Sequence, residues 1–348
     1  MYFFKFSRSS HRLKTIRKIA FYPFGLIYGT ILQIRNWCFD KGILKSIKPP
    51  FPSISVGNLT VGGTGKTPAI KFLLEKLGAK ESVVISRGYG RKSTGYHVIE
   101  SNTESETSGD EPLEIKQAFP SSKVVVCEKR RSAVDNLASE KDISLLLFDD
   151  LYQHRYVRTH CNILLSSFKN PFYNDFVLPA GSLREFAFNK KRADLLLLTK
   201  CPNDLSPEIA QKIRSRSKVS VPTFFSGLKY EVTRWVINHP KNNKVILLAS
   251  VAQADDFFDE GEQQHKVVHK IKLPDHYNYS EKKVKEIISL ANKNKADLVT
   301  TAKDIVKLRK FEPLFEELSV GVLEVKMQVL FNETDDFLNT IKEKIKND

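Results

Sequence analysis

Cysteine is scarce: Cys38, Cys127, Cys161 and Cys201 are the only four in 348 residues, and no two form a Cys-x-x-Cys pair. That excludes a disulfide framework or structural zinc site and fits a reducing compartment. Cys127 and Cys161 sit in apolar runs and read as small core hydrophobes. A bilayer-spanning run is missing too. The uncharged stretch between Lys18 and Arg35 is sixteen residues long and carries Pro23, Gly25 and Gly29, whereas a span needs roughly 20 apolar residues. No small-x-small site follows it, which argues against a secretory signal. Acid is nearly absent from residues 1–50, where Asp40 alone faces ten Lys and Arg. Internal repeats and low-complexity tracts are also lacking.

What is present is an ordinary globular composition, 41% hydrophobic and 27% charged, with a net charge of +15. The length allows one large α/β domain plus a smaller one. The basic N-terminus implies a polyanionic surface nearby, membrane or nucleic acid. Phe21, Tyr22, Phe24, Tyr28 and Trp37 are embedded among aliphatics there. This favours an interfacial helix with its aromatics at headgroup depth and its cations on anionic lipid. An amphipathic helix packed on its own domain is the alternative. Nucleic acid is not the expected partner, because the aromatics do not form a polar stacking platform.

Downstream, short apolar runs alternate with helical patterns. Strands are expected at Ser53–Val56, Ser82–Ser86, Lys123–Glu128, Ser144–Phe148, Asn162–Ser166 and Asp194–Thr199. Continuous apolar runs of this kind suit parallel strands buried on both faces. Lys66–Leu77 reads as a helix with Ile70, Leu73, Leu74 and Leu77 on one face. The pattern is βαβ, a doubly wound and mostly parallel sheet. It loosens around Gly227–Trp235, and a second βα series follows: Val245–Ala249, Val267–Leu273, the helix Ser280–Asn294, Asp297–Thr301 and a last helix, Glu333–Asn347. Glu100–Asp110 reads as a polar, mobile loop. The organisation expected is an N-terminal membrane-surface helix (1–45), a P-loop core (46–228) and a smaller α/β domain (229–348).

The chemistry concentrates after the first strand, in Thr60-Val61-Gly62-Gly63-Thr64-Gly65-Lys66-Thr67. Strand, glycine-rich turn and helix start give backbone N–H groups that wrap phosphates, aided by the helix dipole. Lys66 would meet the β- and γ-phosphates, and the Thr67 hydroxyl would ligate Mg²⁺. The usual pattern opens with Gly where Thr60 stands, so this is a variant loop. A P-loop needs a further acid for the metal. The apolar run Ser144–Phe148 ends in Asp149-Asp150, at the ligand edge of an α/β sheet. Leu198-Thr-Lys-Cys-Pro202 and Thr301-Ala-Lys-Asp304 only partly echo the guanine-reading Asn-Lys-x-Asp, which favours ATP.

Taken together, these motifs resemble the tetraacyldisaccharide 4′-kinases, the lipid A 4′-kinases. The likeness spans nearly the whole chain. It runs through Arg35-Asn-Trp-Cys-Phe-Asp-Lys-Gly-Ile-Leu44, Val56–Pro68 with its Thr60 start, Ser86-Arg-Gly-Tyr-Gly90 and Gly109-Asp-Glu-Pro112. It continues through Asp149-Asp-Leu-Tyr-Gln-His-Arg155, Leu178-Pro-Ala-Gly-Ser-Leu-Arg-Glu185, Pro274-Asp-His276 and Thr300-Thr-Ala-Lys-Asp304. The resemblance implies a peripheral kinase at the cytoplasmic face of a Gram-negative inner membrane, expected as a monomer. It would move the γ-phosphoryl of ATP to the 4′-hydroxyl of an acylated disaccharide 1-phosphate lipid, making lipid IVA. The smaller C-terminal domain would close the active-site cleft.

By position, Asp110 matches the catalytic aspartate and His276 its dyad partner, a pair able to take the hydroxyl proton. Read without the family, Asp110 is a loop acid and His276 a lone histidine. Glu111 falls where it could serve metal or substrate, Asn58 and Arg87 where they could serve substrate, and Gln153, His154, Arg184 and Glu185 near substrate or nucleotide. The planar fork of Arg184 suits a phosphate, although Arg on a solvated turn is the common alternative. Some positions depart from the family pattern: Leu151-Tyr152, Ala249–Ala254, Ala302, Ser182 and Phe186. Altered contacts of the second domain are expected from these, with transfer machinery intact. Two other readings stay open, a kinase or ATPase for a soluble small molecule and a nucleic-acid-associated NTPase.

Overall fold

The computed structural model describes residues 8–251, 254–275 and 277–347, with side chains in the first helix described at 18 and from 20 onward. The chain opens with α1 (Arg8–Asp40), β1 (Ser53–Asn58), α2 (Lys66–Leu77), β2 (Ser82–Ser86), β3 (His97–Ile99), α3 (Ser105–Ser108), α4 (Asp110–Ala118) and β4 (Lys123–Val126). There follow α5 (Arg130–Leu137), β5 (Leu145–Asp149), β6 (Cys161–Ser167), β7 (Leu195–Cys201), α6 (Pro207–Ser217) and β8 (Thr223–Tyr230). The remainder is β9 (Arg234–Ile237), β10 (Lys244–Ala249), α7 (Ala254–Gln264), β11 (Lys266–Lys272), α8 (Glu281–Asn294), β12 (Asp297–Thr301), α9 (Ala302–Leu308), β13 (Val320–Leu323), β14 (Val325–Val329) and α10 (Thr334–Asn347). These form two compact units. One gathers Met1–Ile70, Lys129–Gly227 and Gln328–Asp348, the other Lys71–Glu128 and Leu228–Met327.

In the first unit five parallel strands run in the order β8-β7-β6-β1-β5. Every residue of β1 and β5 is buried, as continuous apolar strands covered on both faces require. The neighbours of β1 are later strands on both sides, which makes its C-terminal end a switch point where α/β sheets bind ligands. Register sets Val56 against Asp149, so the acid ends its strand beside the strand that feeds the glycine-rich turn.

Helix α1 packs on this same unit through its small and polar positions. A Cβ at Gly29 would stand 2.5 Å from the Phe186 ring, and one at Gly25 2.9 Å from Val177 O. Only glycine permits so close an approach. Asn36 Nδ2 donates to Glu185 Oε2 (2.8 Å), and Asn189 Nδ2 donates to Gln33 Oε1 (3.1 Å). The other faces expose Phe21, Tyr22, Phe24, Ile27, Ile31, Ile34 and Trp37. Among the described residues no helix is long and apolar enough to cross a membrane.

In the second unit β2 pairs parallel with β4, and β3 antiparallel with β4. A separate sheet runs β11-β10-β12-β13-β9, parallel except for β9. Its core includes Ile246, Leu248, Val284, Ile287, Leu298 and Phe315. Two expectations need correction. The Glu100–Asp110 stretch is not loop throughout, because Ser105–Ser108 is helical and Asp110 opens α4. The loosened segment near Gly227–Trp235 is largely strand, β8 and β9, polar enough on one face to hide its period.

Candidate active site

The turn after β1 is braced from inside. Asn58, fully buried, donates through Nδ2 to Thr60 O and to Thr64 Oγ1, each at 2.8 Å. Its Oδ1 accepts from Lys66 Nζ at 3.5 Å. Thr199 Oγ1 donates to Thr64 O at 2.7 Å, and Val61 N to Ser182 O at 2.7 Å. Thr60 bridges Leu183. With φ of 103° at Gly62 and 84° at Gly65, the backbone occupies the left-handed side that glycine favours. Gly63 stays bare on the side of Lys200, whose Nζ would lie 3.7 Å from a Cβ placed there. A concave turn with a helix start, Lys66 and Lys200 beside it is a fit for a polyphosphate. Thr67 follows Lys66 in the first turn of α2.

Asp149 is buried at the tip of β5, and Arg130 NH2 reaches its carbonyl at 3.3 Å. Asp150 follows it in the left-handed region, with φ 52°. Arg184 NH1 donates to both of its oxygens at 2.8 Å, and Lys66 Nζ lies 3.8 Å from Oδ1. Burial opposes the charge on Asp150, but Lys66 and then Arg184 outweigh it and hold the carboxyl below the usual carboxylate range.

Gln153 links this pair to the strand end, because Nε2 donates to Asn58 O and to Glu185 Oε1, both at 3.0 Å, and Oε1 accepts from Arg184. Glu185, 3% exposed, is forked by Arg192 at 2.6 and 2.9 Å. His154 closes the 151–154 turn through its backbone N–H to Leu151 O. The first unit thus brings together Asn58, the cradle Thr60–Thr67, Asp149, Asp150, Gln153, His154, Arg184 and Glu185. The donor set for a hard divalent cation, the Thr67 hydroxyl and a strand-end carboxylate, is the kind Mg²⁺ takes.

The second unit holds Arg87, Asp110 and Glu111. Gly109, at φ 83°, precedes Asp110, and a Cβ on it would stand 3.0 Å from Gly88 C and from Tyr89 O. That close approach sets the Arg87 turn beside the start of α4. Arg87 is exposed and Glu111 half-buried. Asp110 Oδ2 lies 2.9 Å from Lys307 Nζ, and the lysine side chain is only 4% exposed. His276 lies outside the described residues. Asp304 of the Thr-Thr-Ala-Lys-Asp stretch is wholly buried, and it accepts from Ser250 N (2.8 Å), Tyr279 OH (3.0 Å) and Thr301 Oγ1 (2.8 Å).

The motifs give no role to Lys200 or Lys303, and no motif includes Arg130, Arg192 or Lys307. Lys303 and Lys307 are four apart on a short helix, a spacing that puts both on one face.

A family model described as LpxK, tetraacyldisaccharide-1-P 4′-kinase, matches residues 17–346. The chain is 38% identical over 307 residues to a tetraacyldisaccharide 4′-kinase of Flavobacterium johnsoniae, covering 85% of this chain and 89% of that one. It is 34% identical over 343 residues to the protein of that name from Cytophaga hutchinsonii, covering 94% and 96%. Among solved structures, the "apo" form LpxK from Aquifex aeolicus in complex with ATP is similar at a TM-score of 0.76 and 29% identity, over 94% of this chain and 99% of that one.

Proposed function

The chain belongs to the tetraacyldisaccharide-1-P 4′-kinase family, and from that premise we propose how its own residues divide the work. The reaction is ATP-dependent phosphorylation of the 4′-hydroxyl of a tetraacylated glucosamine disaccharide 1-phosphate, giving lipid IVA in lipid A biosynthesis. The observation that carries the assignment is Lys66, held between Asn58 and Asp150 at the mouth of a glycine cradle.

In this reading the backbone of Thr60–Thr67 grips the phosphate chain and Lys66 neutralises the β- and γ-oxygens. Thr67 and Asp149 would hold Mg²⁺, which when bound neutralises charge on the phosphate oxygens; Glu111 is a further candidate ligand. Asp150 is committed to Arg184 and Lys66, so it serves to aim those two cations. Asp110 accepts the proton that the 4′-hydroxyl loses as the new P–O bond forms and the bond to ADP breaks, with His276 as its partner. Arg87, exposed and cationic, suits the substrate's 1-phosphate. Gln153, His154 and Glu185 hold the surrounding surface in place.

Purified protein in detergent, given γ-labelled ATP and the disaccharide 1-phosphate, should label the lipid, and Lys66→Ala and Asp110→Asn should each lose at least about 100-fold in rate. Lys66→Ala should also weaken ATP binding, while Asp110→Asn should not. Equal labelling by either variant would remove that residue from its role.

The enzyme docks on the membrane as a peripheral monomer, through the exposed aromatic and aliphatic faces of α1 and the basic residues around them. The cytoplasmic face follows from the supply of ATP. Vesicles rich in phosphatidylglycerol should co-sediment the protein, and deletion of residues 1–34 should release it. Equal binding to purely zwitterionic vesicles would refute the electrostatic part. For the smaller C-terminal domain we keep a boundary near 228, which the break between Gly227 and Leu228 supports, although the compact units also join Lys71–Glu128 to Leu228–Met327 and return Gln328–Asp348 to the first unit.

A further inference from the structure

Helix α9 carries two lysines that reach the segments on either side of position 276. Lys307 Nζ lies 2.9 Å from Asp110 Oδ2 and donates to Tyr277 O at 3.2 Å. One turn earlier, Lys303 Nζ donates to Asp275 Oδ1 at 3.2 Å. The ammonium of Lys307 therefore bridges the first residue of α4 and the backbone at Tyr277. All of these groups belong to the second unit.

The helix they project from is itself fixed. Thr301 caps α9 by accepting from Asp304 N at 3.1 Å, and Asp304 ties the helix start to Ser250 and Tyr279. Leu308 and Ile305 bury into the core of the same unit.

A lysine with 4% of its side chain exposed is costly to desolvate and loses most of its rotamer freedom. A hydrophobe would fill the same volume at less cost. What a hydrophobe cannot do is hold one oxygen of a carboxylate by charge while gripping a backbone carbonyl with a second hydrogen.

We propose that Lys307 is the positioning residue that sets Asp110 for proton transfer by tying it to the backbone at Tyr277, with Lys303 holding Asp275 nearby. This rests on Asp110 being the proton acceptor. Proton transfer is steep in distance and alignment, so a group that shifts the acceptor by about 1 Å changes turnover by about 100-fold. The cradle that binds ATP is built from other residues, so nucleotide affinity is not expected to move.

The experiment compares Lys307→Met, Lys307→Gln and Lys307→Arg with Asp110→Asn and with the double variant Lys307→Met/Asp110→Asn in the labelled-ATP assay, with ATP binding and thermal unfolding measured on each. Lys307→Met should lower kcat about 10- to 100-fold with KM for ATP changed less than about 2-fold. Lys307→Gln, which keeps a donor for Tyr277 O without the charge, should fold even where Met does not and show the same loss. Lys307→Arg should recover most of the rate. The double variant should be no slower than Asp110→Asn alone, because the two act as one unit. The inference is overturned by wild-type kcat in folded Lys307→Met or Lys307→Gln, by losses that multiply in the double variant, or by Arg as slow as Gln. Wild-type rate in Asp110→Asn itself would instead strike the reading of Asp110, a separate failure that the single variant identifies.

Discussion

Glu185 offers a sharp test of how the cradle is supported. Its carboxylate is 3% exposed and serves four donors: both arms of Arg192 at 2.6 and 2.9 Å, Gln153 Nε2 at 3.0 Å and Asn36 Nδ2 at 2.8 Å. Glu185→Ala would leave a largely buried guanidinium without its counter-charge and two amides without an acceptor. Breaking one side of such a pair costs about 3–5 kcal/mol. For a unit of this size that corresponds to a fall in Tm of roughly 6–20 °C. Glu185→Gln keeps an acceptor oxygen and removes only the charge, so its cost should be smaller, about 1–3 kcal/mol.

The loss should also reach ATP. Gln153 holds Asn58 O with the same amide that bonds Glu185, and Asn58 braces Thr60, Thr64 and Lys66. KM for ATP should therefore rise in Glu185→Ala, although the residue need not touch the nucleotide. Denaturant unfolding and initial rates against ATP concentration measure both effects. The decisive comparison is Glu185→Ala/Arg192→Met, which removes cation and anion together and should be more stable than Glu185→Ala alone. Should Glu185→Ala stay within about 1 kcal/mol of wild type, or the double variant be worse by the full sum, the account of a buried and interdependent cluster is wrong.

Three further outcomes follow from the geometry. Because Asp150 is held below the usual carboxylate range, its stabilising contribution is complete above the unfolded value and is lost as pH falls through the folded one. The stability gap between wild type and Asp150→Asn should therefore narrow below about pH 4; urea midpoints at pH 7 and pH 3 that differ by the same amount would contradict this. Thr199→Val removes the hydroxyl that donates to Thr64 O, and should cost about 1 kcal/mol and raise KM for ATP with little change in kcat. Gly29→Leu would drive a side chain into Phe186 and should make residues 1–34 newly sensitive to protease, while Ile31→Asn, on an exposed position of α1, should leave the helix seated and weaken vesicle binding.

How much of this was legible beforehand depended on whether a signal was local. The strand Ser53–Asn58, the turn and the helix Lys66–Leu77 were all readable, because apolar runs, glycines and a Lys-Thr pair sit within twenty-five residues of one another. Strand ends were less so. Asp149 belongs to β5 and Lys200 with Cys201 to β7, since backbone pairing continues past the last apolar side chain where hydropathy stops reporting it. Lys200 further hides because its φ of 56° places a polar residue at a bulge, which breaks the strand period. Ser105–Ser108 reads as loop for the opposite reason: its residues are good cap and turn formers, and packing against the rest of its unit decides their conformation.

The support around each functional group was the least legible part, and the reason is sequence distance. Arg184 meets Asp150 across 34 residues, Gln153 meets Asn58 across 95 and Asn36 meets Glu185 across 149. No period or motif spacing encodes such pairs; they exist only once the sheet order brings strand ends together. Lys307 and Asp110, almost two hundred residues apart, are the extreme case. The motif Gly109-Asp-Glu-Pro112 pointed to an acid worth noticing, and Thr300-Thr-Ala-Lys-Asp304 to a conspicuous cluster. Yet Asp304, the acid of that cluster, is spent on holding α9 in place, and the lysine that reaches Asp110 lies just beyond the motif. In the proposed reading, motif residues divide between those that would meet substrate and those that aim them. Sequence alone does not separate the two classes, since both need the same charged side chains; burial and partner geometry do.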